Sequence, residues 1–173
     1  KEGESEGKYN LSYSNIKDYW VLDKCLGDNI ELCDIMIETE KKIYLVHVKS
    51  GFDAKMRDLS NQIVISAKRL KNSLDSGNLN FINQVIDGYN INKETNPKIN
   101  DNSFFLDKFK NKDIVYVLAF KSTWKSGEKI KENIDKSNSN IAKFSLIQCV
   151  KEMKSTSFQI SIAEIDNGTN IAL

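Results

Sequence analysis

Two nearly apolar segments and one amphipathic segment follow each other in the first half of the chain, and their order constrains the fold most. Ile30–Thr39 and Ile43–Ser50 are strand-length and are separated by the polar residues 40–42. Because strands that are apolar along their length usually lie in a sheet covered on both faces, the pair predicts a buried hairpin. Apolar residues then recur at helical spacing over Lys55–Leu74, which predicts an amphipathic helix.

The rest of the chain continues as an alternation of strands and helices. We expect three further strands, at Asp18–Leu26, Asp113–Lys121 and Ser157–Ile165. We also expect a short helix at Leu79–Tyr89, a second helix at Ile141–Lys154 and a loop at Asn90–Asn102. The first of these strands precedes the hairpin and the others follow the amphipathic helix. Strands that alternate with helices predict an α/β fold, a mixed β-sheet flanked by helices.

Length and composition fit one domain in a reducing compartment. The chain has 173 residues, is 40% hydrophobic and contains no apolar run of membrane-spanning length and no signal peptide, so we expect a cytoplasmic protein. Its three cysteines match no zinc-binding spacing and are expected to be buried free thiols. We expect residues 1–8 to be a disordered remnant and residues 9–173 to form the domain. Because the chain starts at Lys1, an additional domain upstream is expected.

Positive charge is concentrated in one part of the chain. Residues 41–72 carry eight lysines or arginines against two aspartates, although the whole chain has a net charge of +1. A basic segment on an acidic body suits a surface that binds phosphates, because phosphate contacts dominate affinity for nucleic acids. The same lysines are also compatible with a hairpin tip and the hydrated face of a helix. The predicted contacts are Lys55, Arg57, Lys68 and Arg69.

Three polar residues interrupt the predicted hairpin and need a reason to be there. Asp34 lies on the first strand, and His47 and Lys49 share one face of the second strand. Buried charged groups are costly unless they are paired or bind a ligand. The plain explanation is a structural ion pair between Asp34 and Lys49, with His47 hydrogen-bonded nearby.

An aspartate on one strand, a turn, then acid–x–Lys on the next strand and a helix resembles the PD-(D/E)XK, or restriction-endonuclease-like, nuclease superfamily. Here the pattern reads Asp34, then His47–Val48–Lys49, then Gly51 and the helix. The string ELCDI…HVKSG…LSNQ also resembles a sporadically distributed bacterial family of unclear function, which suggests a defence or mobile-element setting. The resemblance implies a restriction-endonuclease-like core that acts on nucleic acid, DNA rather than RNA, and allows a homodimer.

The resemblance also implies roles for individual residues. Asp34 and the Val48 carbonyl would bind Mg²⁺ or Mn²⁺, and Lys49 would orient the attacking water and stabilise developing negative charge. Gln62 on the helix would face the site. Ser66 and Arg69 lie on the same helix side as Gln62 and would contact phosphate, unless all three simply form a polar helix face.

His47 departs from the superfamily pattern because it stands where the second acid is expected. Imidazole suits Mn²⁺ or Zn²⁺ better than Mg²⁺, so His47 would be either a variant metal ligand or a general base. Glu31 would replace the missing acid only if the strand is bulged, because its parity otherwise puts it opposite Asp34. The first core helix, which often contributes a further carboxylate in this fold, is not evident in the sequence.

These observations leave three hypotheses open. The first is a divalent-metal-dependent nuclease that hydrolyses DNA. The second is a catalytically silent domain of the same fold that binds nucleic acid. The third is an interaction domain in which the polar trio is structural.

Overall fold

The computed structural model describes residues 6–91, 98–101, 103–121 and 129–165. In chain order, the helices are α1 Glu6–Leu11, α2 Lys55–Ser76, α3 Asn80–Ile91, α4 Phe104–Asn111 and α5 Asn140–Met153. The strands are β1 Tyr19–Val21, β2 Leu26–Gly27, β3 Ile30–Glu31, β4 Ile35–Glu38, β5 Lys42–Lys49, β6 Asp113–Lys121 and β7 Gln159–Ile165. Two short 3₁₀ helices, Ile130–Glu132 and Ile134–Lys136, precede α5.

Five strands form one mixed sheet in the order β1-β4-β5-β6-β7. The β1–β4 and β4–β5 pairs are antiparallel, whereas β5–β6 and β6–β7 are parallel. The predicted α/β fold with a mixed sheet and flanking helices is therefore confirmed. Strands β2 and β3 form a separate hairpin whose two turn residues, Asp28 and Asn29, both have positive φ (51° and 60°), as tight hairpin turns require.

Apolar side chains are buried on both faces of the sheet, as the continuous apolar strands predict. On one face, helices α2 to α5 cover a large cluster that includes Leu45, Tyr116 and Leu118. On the other face, Tyr13 packs on a smaller cluster with Val46 and Val117. The long helix α2 buries its periodic apolar residues and ends at Gly77, whose φ of 68° is the left-handed conformation typical of a helix C-terminus.

The structure differs from the sequence-based expectations in four places. The expected strand Ile30–Thr39 is split into β3 and β4, and Asp18–Leu26 is split into β1 and the start of β2. Helix α4 was not predicted, and residues 92–97 and 102 of the expected loop Asn90–Asn102 lie outside the described residues. Helix α1 begins at Glu6, inside the segment 1–8 expected to be disordered; residues 1–5 lie outside the described residues.

No helix in the described part of the chain combines the length and the apolar character that crossing a membrane requires.

Candidate metal centre

Three carboxylates converge where the small hairpin meets the main sheet. Asp23 follows β1, Glu31 ends β3 and Asp34 directly precedes β4. One carboxylate oxygen from each lies within 4.8 Å of the others. Carboxylate oxygens are the ligands that Mg²⁺ and Mn²⁺ prefer, so this acidic cluster (Asp23, Glu31 and Asp34) has the donor set for a divalent cation.

Glu31 and Asp34 lie at a break between two strands, since β3 ends at Glu31 and β4 begins at Ile35. The ladder pairs Ile35 with Val46, yet the amide of Asp34 also donates to the carbonyl of Val46 at 2.9 Å. Two consecutive residues thus lie opposite one, which defines a bulge and re-aims the side chains beside it. Because residues 32–34 are not in a regular strand, strict alternation does not put Glu31 and Asp34 on opposite faces, and both carboxylates reach the acidic cluster.

Asp34 is buried and carries the strongest electrostatic perturbation of the cluster. Its Oδ2 accepts a hydrogen bond from the Val48 amide at 2.6 Å. Burial first, and then the nearby Glu31 carboxylate, raise the pKa of Asp34 to about 8, although the Val48 hydrogen bond opposes the shift. Because the amide and carbonyl of one strand residue face the same neighbouring strand, the Val48 carbonyl also faces the Asp34 side.

Glu31 shares this environment. Burial raises its pKa, while a hydrogen bond of 2.6 Å from the Lys24 amide to Oε1 lowers it in part. A bound cation would favour the ionised form of such a buried acid, because it compensates for the hydration that the carboxylate has lost. The three carboxylates are therefore the residues that could hold a divalent cation.

Lys49 stands at the end of β5 beside the cluster. Its positive charge offsets a small part of the rise that burial causes in the pKa of Asp34 and of Glu31. Its Nζ lies 3.6 Å from Glu6 Oε2, and Glu6 Oε1 accepts a hydrogen bond of 3.0 Å from the Ser50 amide. Of the ion pairs in the described part of the chain, none joins Asp34 to Lys49, so the ion pair that the plain explanation requires does not form.

Glu6 and Asp23 are the site residues that the sequence reasoning missed. Glu6 belongs to helix α1, which supplies a carboxylate where the sequence showed no first core helix. It lies in a Gly- and Ser-rich stretch with no local signal of a role. Asp23 follows the short strand β1 and looks like an ordinary turn residue.

His47 is not part of the acidic cluster. It is completely buried, stacks on the Tyr116 ring with 6.1 Å between centroids and has no hydrogen-bond partner at either ring nitrogen. Burial, assisted by the charge of Lys49, lowers the pKa of His47 to about 3; the Leu32 backbone opposes this without forming a hydrogen bond of normal geometry. Its ring is not among the ligand atoms gathered within 4.8 Å. This placement favours a neutral core residue over the metal ligand or general base suggested by the sequence.

The three polar residues expected on one side of α2 have different surroundings. Gln62 is exposed. Ser66 is buried, where its hydroxyl donates to the Leu32 carbonyl at 2.7 Å and lies 3.1 Å from the Tyr116 hydroxyl. Arg69 donates to Asp28 Oδ2 from Nε at 2.8 Å and from Nη2 at 2.6 Å. The expected single polar face is therefore not formed by these three residues.

The four predicted phosphate contacts do not form one free cationic surface either. Lys68 pairs with Glu152 at 2.8 Å, and Arg69 is engaged by Asp28. Lys55 lies nearest the candidate site, since its Nζ donates to Ser50 Oγ at 2.7 Å. Arg57 is exposed and lies 4.0 Å from Asp58.

The Arg69–Asp28 pair fastens the β2–β3 hairpin, and with it Glu31, to α2 and α3. The Asp28 amide also donates to Gln84 Oε1 at 2.7 Å, and a Cβ at Gly27 would lie 2.5 Å from the Phe81 carbonyl oxygen. We expect Arg69→Ala to lower the free energy of unfolding by about 1 kcal/mol, measured by urea denaturation. It should also weaken Mn²⁺ binding several-fold in calorimetric titration, because Glu31 loses its anchor.

The matched control for this prediction is Lys71→Ala. Lys71 forms an exposed i,i+4 pair with Asp75 on the same helix, and its loss should cost at most about 0.5 kcal/mol and leave Mn²⁺ binding unchanged. Unchanged metal affinity in Arg69→Ala would show that the hairpin holds its position without the arginine.

Comparison with known proteins supplies a family but no activity. No curated protein and no solved structure matches the chain. A family model described as a family of unknown function (DUF6119) matches residues 1–166, which is nearly the whole chain, and the chain therefore belongs to this family.

Proposed function

We propose that this chain is a divalent-metal-dependent nuclease domain that hydrolyses DNA phosphodiester bonds. The observation that carries the proposal is the acidic cluster around buried Asp34, whose carboxylate oxygens lie within 4.8 Å of one another, with Lys49 near enough to interact electrostatically with Asp34 and Glu31. A buried carboxylate is costly without a partner, and strongly perturbed groups cluster at functional sites. The resemblance of Asp34…His47–Val48–Lys49 to the restriction-endonuclease-like pattern points to the same chemistry.

Asp34, Glu31 and Asp23, with the Val48 carbonyl, would hold Mg²⁺ or Mn²⁺. When bound, the cation would supply Lewis acidity and lower the pKa of a coordinated water. Glu31 and Asp23 thus take the part of the acid that is absent at position 47. His47 is left out of the ligand set, because its ring lies outside the acidic cluster and is completely buried.

Lys49 is the residue proposed to act on the phosphate. Its ammonium group would orient the attacking water and stabilise the negative charge that develops on phosphate oxygens. Glu6, 3.6 Å from Nζ, would restrict the lysine side chain to the site. Lys55, which reaches Ser50 next to Lys49, is the predicted cation best situated to contact a neighbouring phosphate.

The setting proposed for this activity is the bacterial cytoplasm, in defence or on a mobile element. Cys25, Cys33 and Cys149 are buried free thiols, as in proteins of reducing compartments. The defence or mobile-element setting is inferred from the resemblance to a sporadically distributed bacterial family.

The test is cleavage of supercoiled plasmid and of single-stranded DNA with Mg²⁺, with Mn²⁺ and with EDTA. We expect cleavage with metal only, and a loss of at least about 100-fold in Asp34→Ala and in Lys49→Ala. Glu31→Gln should lose activity and Mn²⁺ affinity together, whereas Lys49→Ala should lose activity but keep Mn²⁺ affinity.

Asp75→Ala, at an exposed aspartate far along α2, is the control and should cleave like the wild type. Two outcomes would count against the nuclease. Cleavage that persists in EDTA or in Asp34→Ala would indicate a contaminating enzyme. A folded protein that binds Mn²⁺ but cuts neither substrate would favour the catalytically silent member of the fold.

A further inference from the structure

A groove that is open to solvent runs between α2 and α5 and encloses about 390 Å³. Its α2 wall is formed by residues at positions i, i+3, i+4 and i+7, which share one side of a helix; they are Arg57, Ser60, Asn61 and Val64. Its α5 wall includes Phe144, Gln148 and Glu152. The volume lies within the range of about 300–1,000 Å³ that is typical of pockets for small ligands.

The floor of this groove contains a polar atom without a partner. Ser60 is only 4% exposed, and its hydroxyl has no hydrogen-bond partner among the residues that the structure describes. Cys149 Sγ lies 3.8 Å from the Ser60 carbonyl oxygen, which places Ser60 where the two helices meet. A buried hydroxyl without a hydrogen bond costs free energy, and a ligand that presents a hydrogen-bonding edge would remove that cost.

The walls combine an aromatic ring with side-chain amides. Phe144 lines the groove and is 68% exposed, so its ring is accessible to a ligand. Asn61 and Gln148 line the groove as well, and the amide of each side chain offers both donors and an acceptor. Proteins bind unpaired nucleobases in this way, by stacking them on an aromatic ring and by hydrogen bonds to the base edges. A flat heterocycle stacked on Phe144 would fit the composition of these walls.

The charged residues of the groove lie toward opposite ends. Arg57 is in the first turn of α2, and its Nε lies 4.0 Å from Asp58, which is too long for a hydrogen bond. Glu152 is in the last turn of α5 and pairs with Lys68, which lies about 16 Å further along α2 than Arg57. A phosphate would be attracted to Arg57 and repelled by Glu152. A nucleotide has the matching polarity, because its anionic phosphate lies at one end and the base edge at the other.

We propose that the groove between α2 and α5 binds a nucleotide, with the base stacked on Phe144 and hydrogen-bonded to Ser60 and with the phosphate at Arg57. The nucleotide is free in solution or is an unpaired residue of a nucleic-acid strand, since both present the same base and phosphate. The proposal does not rest on the nuclease activity. The described residues of the groove and of the acidic cluster do not overlap, and binding in the groove requires no metal.

Calorimetric titration of the full 173-residue chain with AMP, in EDTA to prevent metal-dependent cleavage, tests the site. We expect AMP to bind at least about tenfold more tightly than ribose 5-phosphate, which has the phosphate but no base to stack. Phe144→Ala should weaken AMP binding at least about tenfold for the same reason. Arg57→Ala should weaken the binding of AMP and leave that of adenosine, which has no phosphate, unchanged.

Ser60→Ala separates a role in binding from a role in folding. It should weaken the binding of both AMP and adenosine several-fold, because the base loses a hydrogen bond. It should not lower the melting temperature, because the hydroxyl has no hydrogen-bond partner among the described residues of the free protein. Ser60→Ala that binds AMP like the wild type would overturn the assignment of this hydroxyl to the site.

The matched control is Ile147→Ala, which shortens a 54% exposed side chain of α5 that is not among the described residues lining the groove, and it should leave AMP binding unchanged. Asp34→Ala should also bind AMP like the wild type. A single-stranded oligonucleotide of about 12 residues distinguishes the two sources of the nucleotide. Displacement of AMP by the oligonucleotide supports an unpaired strand as the ligand, and retention of AMP supports a free nucleotide.

Three results would overturn the proposal. The first is a wild-type chain that does not bind AMP at about 5 mM. The second is ribose 5-phosphate that binds as tightly as AMP, because the groove would then recognise only the phosphate. The third is Phe144→Ala that binds AMP like the wild type, because the base would then lie elsewhere.

Discussion

Replacing Asp34 by asparagine is expected to stabilise the metal-free protein at pH 8. Asp34 has a pKa of about 8 in the folded chain against about 4 when unfolded, so the folded state holds a proton that the unfolded state releases. Stability is therefore lost as pH rises through this interval, by up to about 1.4 kcal/mol for each pH unit. Asparagine keeps an oxygen to accept the Val48 amide and removes the titration.

His47 also titrates, and it limits the pH range in which the effect of Asp34 on stability can be measured. Its pKa is about 3 when folded and about 6.5 when unfolded, so it adds stability as pH rises between those values and offsets Asp34 there. Above about pH 7 His47 adds little further stability, while the loss due to Asp34 continues up to its pKa. In EDTA, the wild type should lose about 1 kcal/mol between pH 6.5 and pH 8. Asp34→Asn should lose almost none.

Urea denaturation at the two pH values measures the difference, and Asp75→Asn serves as the exposed control that should follow the wild type. Addition of Mn²⁺ should restore the stability of the wild type at pH 8, because a bound cation stabilises the ionised carboxylates, and should do far less for Asp34→Asn. An equally steep loss in Asp34→Asn would mean that the titrating group is not Asp34.

The parts of the fold that the sequence predicts are those whose signals are local. Helix α2 has apolar residues at helical spacing, and β6 is an apolar run that is buried on both faces. The local sequence is therefore enough to predict each of these two elements. Helix α4 lacks such a signal because it is only eight residues long and follows a polar segment. The mixed sheet was predictable because strand and helix segments alternate along the chain.

The site was harder to predict because its geometry depends on pairing between distant segments. No turn residue occurs at Leu32, Cys33 or Asp34, and only the structure shows that the strand is interrupted there, between β3 and β4. The alternation rule therefore put Glu31 on the wrong side of the strand. Glu6 reaches Lys49 from more than forty residues away, and no local pattern can indicate such a contact.

The sequence pattern suggests that His47 is a metal ligand or a general base, whereas its placement favours a neutral core residue. We therefore expect His47→Leu to stabilise the protein and to keep its function. The imidazole buries two nitrogens without hydrogen-bond partners, and an apolar side chain of similar volume avoids that cost of about 1–3 kcal/mol. The gain should be larger by about 2 kcal/mol at pH 5 than at pH 7.5, because only the wild type contains a histidine that must stay neutral to fold.

His47→Gln, which is polar but does not titrate, should lose the extra sensitivity to acid without the full gain at pH 7.5. Urea denaturation at both pH values and Mn²⁺ titration of the three proteins separate the contributions. A drop of more than about tenfold in Mn²⁺ affinity for His47→Leu would make the histidine a metal ligand after all, as the H-x-K pattern first suggests.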